Sequence, residues 1–213
     1  MNTLLALAIY AITTTKAVAG DYFLGTQSVR AERTFSLGDR YPDPWVSGIF
    51  RDNILLTLNY MDNDVKDSTK VDWSAVVKPQ SYSFTLNPGE VFAFHEDVLP
   101  QFEGKVTQTM HAHFNYADGF KSDGYLSGDG VCHLASLIYW AAKDAGLEAL
   151  APTNHDFANI PEVPKEYGVS IYYNPATHQS NAQQNLYITN TFDKAVSFAF
   201  AFDGTNLSVK VID

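Results

Sequence analysis

The chain has 213 residues, a formal net charge of −10, 46% hydrophobic side chains and 14% aromatic ones. That is enough apolar material for one domain with a sizeable core. The acidic balance, with no basic run, argues against nucleic acid or an anionic membrane surface as partner.

Leu4 to Ile12 is a short apolar run, and Ala17-Val18-Ala19-Gly20 follows with small residues. This pattern predicts an export signal over residues 1–19, although Met1-Asn2-Thr3 lacks the usual basic residue. The run is shorter than the ~20 residues a membrane span needs, so no transmembrane span is expected in the mature chain. Residues 20–49 read as an N-terminal arm, with Tyr41-Pro42-Asp43-Pro44-Trp45 as a rigid extended piece. The main domain is expected over 50–213.

Apolar positions at Ile54, Leu55, Leu58 and Met61 predict a short helix from Arg51 to Met61. Two β segments, Phe84 to Leu86 and Val91 to Phe94, flank the Asn87-Pro88-Gly89-Glu90 turn. Val106 to Phe114 alternates and reads as a strand, while the glycines and aspartates of 118–130 read as loop. Val131, Leu134, Ala135, Ile138, Ala142 and Ala145 recur at three and four, predicting a prominent helix over about 131–145 that Gly146 stops. Short strands are expected at 169–173, 186–189, 196–202 and 207–212, the last two joined by a hairpin at Asp203-Gly204-Thr205-Asn206. The fold class is therefore α+β, an antiparallel sheet with one prominent helix packed on it.

The only cysteine, Cys132, falls at the N-terminus of that helix. No intrachain disulfide can form, so the thiol is a buried small hydrophobe, a bridge to another chain or a working nucleophile. Free amides and the helix dipole there favour a thiolate. Asp129, placed to be the N-cap, opposes one. A working thiol needs a base, and His155 is the candidate. The helix is ~21 Å long, and the ~23 Å that seven extended residues cover would return residues 149–155 to its start. On a strand, His111 and His113 would share a face, where zinc is conceivable with His95, His133 or Cys132. No metal and no cofactor is assigned.

Together these residues resemble a known family. Gly128-Asp129-Gly130-Val131-Cys132-His133, running on to Ala145-Gly146-Leu147, is similar to the Gly-Gly-Gly-Val-Cys-Gln signature and following helix of the VanW-like family. Pro88-Gly89-Glu90-Val91-Phe92-Ala93-Phe94 is similar to its Pro-Gly-Glu-x-Phe-Ser-Phe hairpin, and Arg51-Asp52-Asn53-Ile54, with one residue fewer between Arg and Asn, to its Arg-x-x-Asn-Ile element. Asn154-His155 matches the family's histidine, and Asn185 to Asn190 its strand ending in Asn. Two positions depart from the pattern: His133 stands for Gln, and Gly168 stands where the family has Asp. The resemblance implies an exported or envelope-associated protein related to an accessory product of vancomycin-resistance gene clusters.

Two functions follow as expectations. One is a cysteine-dependent hydrolase or acyltransferase on peptide, amide or ester bonds of cell-wall material. Cys132 would be the nucleophile, His155 the base and the Gly130–Cys132 amides the oxyanion hole, with Asp129, His133, Asn154, Asp156 and Asn185 as orienting or binding residues. The other is a non-catalytic module that binds a cell-wall peptide or glycan. There Cys132 is structural and Tyr172, Tyr173 and Trp140 line a groove.

Overall fold

The structure is a computed structural model that describes residues 28–65, 68–125 and 128–213. The expected export signal lies outside these residues. No helix among the described residues is long and apolar enough to cross a membrane.

Two four-stranded sheets and two long helices make a mixed α+β fold. The first sheet has the order β1 (Val29–Ser36), β8 (Asn206–Ile212), β7 (Val196–Phe202), β2 (Gln80–Leu86), and all its pairs are antiparallel. The second has the order β4 (Val106–Gln108), β3 (Val91–Ala93), β6 (Tyr187–Thr189), β5 (Glu148–Leu150), with β3–β4 its parallel pair. The β7–β8 hairpin forms where expected, and Val196, Phe198, Phe200 and Phe202 all point inward. The sheets meet through Phe84 of β2, whose ring stacks on Phe92 of β3 and on Phe198, each at 4.9 Å between centroids. Offset aromatic contacts of this kind add to the stabilisation from area burial.

Residues 28–50 are more than an arm. β1 pairs with β8 along its length, and helix α1 runs from Pro44 to Met61 rather than starting at Arg51. Asp43 caps it by accepting the amides of Trp45 and Val46. Pro44 occupies the first helical position, where a missing N–H costs nothing. The Pro-rich piece read as extended is thus a helix start.

Three further expectations change. The Pro-Gly turn at 87–90 does not close a hairpin, because β2 and β3 belong to different sheets. The turn carries the chain between them, and the Gly89 amide is anchored on the carbonyl of Asn190. The strand predicted over 106–114 stops at Gln108, and positive φ at His111 (55°) and Phe114 (59°) ends the alternation. His111 and His113 therefore do not present one strand face.

Helix α3 (Val131–Asp144) packs against β1, β8, β5 and α1. Three residues, 145–147, then lead into β5. Two short helices, α2 (Trp73–Val76) and α4 (His178–Gln183), complete the set.

Candidate functional site

The start of α3 is held by close backbone approach. Gly130 is the N-cap at φ 99°, and a Cβ on it would lie 2.6 Å from the Phe50 carbonyl oxygen of α1. Gly128, at φ 80°, would clash in the same way with the Phe114 carbonyl. Both positions demand glycine. Asn53, buried in α1, ties the loop down: its amide donates to the carbonyls of Lys121 and Asp129, and its oxygen accepts the Lys121 amide. Asn53 carries a positioning role that the sequence reading left unassigned. The signal was an Asn inside an otherwise apolar helical run.

Asp129 does not cap α3, which has no side-chain cap. Its carboxylate accepts the Asp123 amide at 3.1 Å. Burial, with Asp123 nearby, pushes the carboxyl up to about 6.

Cys132 is the second residue of α3. Its thiol donates to the Ile171 carbonyl at 3.6 Å, and its sulfur accepts the Ile171 amide at 3.4 Å. One turn on, Ser136 Oγ accepts the Val169 amide at 2.9 Å and donates to the Cys132 carbonyl at 2.7 Å. These side chains satisfy the segment expected as a strand over 169–173, which explains why it forms no ladder. Two further amides there find carbonyls outside the segment, Ser170 on Thr153 and Tyr172 on Gln184. Cys132 retains some surface toward a cleft, yet the surrounding protein still desolvates its sulfur. Burial pushes the thiol up to about 11, and the helix start does not reverse this.

His155 does return to the start of α3: its ring lies 6.3 Å, centroid to centroid, from that of His133. It does not hydrogen-bond to the Cys132 sulfur. Its Nδ1 meets the Ala158 carbonyl at 3.2 Å, and burial holds its pKa below the usual histidine value. His133 is buried against Phe50 and has no hydrogen-bond partner at Nδ1. Burial, with Arg40 and His155 adding to it, pulls its pKa down to about 3.

The other expected residues separate. The Asn154 side chain faces the Lys165 carbonyl, and Asp156 is exposed. Asn185 serves His95 instead, accepting its amide and donating to its carbonyl. A Cβ at Gly168 would lie 2.9 Å from the His155 carbonyl oxygen and 3.2 Å from Asn154 Oδ1, so this backbone leaves no room for a carboxylate there. Of the amides at the turn, that of Val131 is spent on the Gly128 carbonyl.

Cys132, His133, His155, Asp129 and Gly130 line one cleft of about 540 Å³, within the usual range for ligand sites. Its walls are aromatic, with Tyr41, Tyr116, Tyr125, Phe157, Tyr172 and Tyr173 among them. Several are solvent-facing, Tyr125 at 90% and Phe157 at 75% exposure. Trp140 lies elsewhere, stacked on Tyr167 with the Arg33 guanidinium over its ring. His113, at the rim, pairs with Glu96 at 2.6 Å. Among the described residues no group of three or more His, Cys, Asp or Glu side chains is arranged to hold a metal ion.

A family model described as VanW like protein matches residues 81–212, a span from β2 to β8 that includes all of α3. No curated protein and no solved structure gives a match. The matched span is more than half of the chain, and the protein belongs to the VanW-like family.

Proposed function

We propose that this protein is an exported binding module for cell-wall material, with the aromatic cleft as its site and Cys132 as a structural thiol. The observation that carries the reading is the engagement of Cys132 by both backbone groups of Ile171 at the edge of an aromatic-walled cleft. A nucleophilic cysteine needs a base or cation that favours its thiolate. Here the sulfur has a backbone amide and carbonyl instead, and burial lowers the pKa of both His133 and His155, which makes each a weaker base and disfavours its cationic form. Exposed tyrosine and phenylalanine rings suit the apolar faces of sugars and the side chains of peptides. The apolar run at 4–12 and the small residues at 17–20 support export.

The test is calorimetric titration of solubilised peptidoglycan fragments into the full chain and into Tyr125→Ala and Phe157→Ala. Both side chains are exposed, so the fold tolerates their loss. Weaker binding in both variants is expected. Unchanged binding in both, or no binding by the wild type, removes the reading.

A cysteine-dependent hydrolase or acyltransferase is the second reading. It is favoured by one observation, that Cys132, His133 and His155 open onto the same cleft. A thiol-directed electrophile shaped like a wall peptide would label Cys132 rapidly at neutral pH if this reading holds.

A further inference from the structure

The charges in the cleft are unevenly matched. Arg40, one wall residue, is spent: its guanidinium pairs with Glu162, donates to the Pro161 carbonyl and lies over the Phe35 ring. Asp129, another, has no cationic partner among the described residues. Its neighbour Asp123 adds a second negative charge, and the nearby Lys121 is committed to Asp52. His133 stands in the same cleft, 5% exposed, with no protein partner for its ring Nδ1.

We propose that the cleft recognises its ligand through a primary ammonium group, seated against the Asp129 carboxylate and the surrounding aromatic rings. This rests on the binding-module reading and narrows it to ligands carrying a free amine. An ammonium would supply the counter-charge that Asp129 lacks. Ring faces of tyrosine and phenylalanine attract a cation within about 6 Å. The unpartnered ring Nδ1 of His133 is itself sealed from solvent, so the contacts proposed for the ammonium are those with Asp129 and the rings. The raised pKa of Asp129 fits a carboxylate placed without its counter-ion. The opposite assignment, a ligand carboxylate at Arg40, meets a cation already neutralised by Glu162.

The experiment uses solubilised peptidoglycan fragments that carry free amines, and the same fragments after acetylation of those amines, each titrated into the full chain. The wild type is expected to bind the acetylated form about tenfold more weakly, the scale of losing one charge-assisted contact. Asp129→Asn is expected to bind both forms alike. Its melting temperature, read in parallel, reports its fold, and the comparison of the two fragment preparations needs no variant at all. If acetylation leaves wild-type affinity unchanged or raises it, while Phe157→Ala weakens both forms, the ammonium proposal is overturned and the binding cleft stands. If neither preparation binds, both fall.

Discussion

The Cys132 side chain meets the backbone of Ile171 twice, accepting its amide at 3.4 Å and donating to its carbonyl at 3.6 Å. With Ser136 one turn below, it forms a side-chain substitute for a β ladder, fastening the segment 169–171 to the first turns of α3. The thiol at the helix start is thereby a structural clasp before it is anything else.

The clasp predicts unreactive chemistry. With its pKa pushed from 9.0 to about 11, the thiol is protonated at pH 8. Its thiolate fraction there is about a hundredfold below that of an unperturbed cysteine. Iodoacetamide labelling of the native protein should be slower than labelling of the unfolded chain by about that factor, and should keep rising about tenfold per pH unit until about pH 11. Fast labelling at pH 7 would contradict it.

Substitutions at the clasp separate shape from hydrogen bonding. Cys132→Ser keeps a donor and an acceptor and should cost little. Cys132→Ala should cost about 1 kcal/mol. Ser136→Ala should cost more, about 1–3 kcal/mol, because it strands the buried Val169 amide. Urea denaturation of the three variants gives the order directly.

His133 makes the fold sensitive to acid. Its pKa is about 3 in the folded state, against an ordinary 6.5, so the unfolded chain binds a proton that the folded one refuses. Stability from this residue is intact above pH 6.5 and falls as pH drops toward 3, with a limiting slope of about 1.4 kcal/mol per pH unit. His155, also lowered, adds in the same direction. Chemical denaturation of His133→Gln between pH 7 and 4 should show a shallower decline than the wild type.

Asp129 acts with the opposite sign. Its folded-state pKa of about 6 lies above the ordinary 3.8, so ionisation costs stability as pH rises through that window. Asp129→Asn should therefore stabilise the protein by about 1–2 kcal/mol above pH 7, after allowance for solvent screening of a partly exposed group. The gain should vanish below pH 4. A site that weakens the fold while facing a cleft is where function commonly conflicts with stability.

Much of this was legible in the sequence where local pattern and tertiary role agree. The 3–4 spacing from Val131 marked α3, and the alternation of Val196–Phe202 marked a half-buried strand with its hairpin. The family signature was readable around Cys132 and Pro88-Gly89-Glu90. Elsewhere tertiary context decided. Asp43-Pro44 reads equally as a turn or a helix start until the apolar face of α1 finds α3. His111 and Phe114 leave β geometry in a way that no alternation rule encodes. The segment 169–171 is extended but paired to side chains, which strand propensity cannot foresee. At the site, sequence spacing brought His155 back to the start of α3. It could not show that the sulfur would be claimed by Ile171, or that Gly168 sits too close to His155 for any side chain.

The most direct test incubates the full chain with solubilised peptidoglycan fragments and measures two quantities together, the fraction bound and the masses of the fragments recovered. The account predicts saturable binding that Cys132→Ser retains, and recovery of every fragment at its original mass. A cleaved or transferred fragment that appears with wild type and not with Cys132→Ser would contradict it.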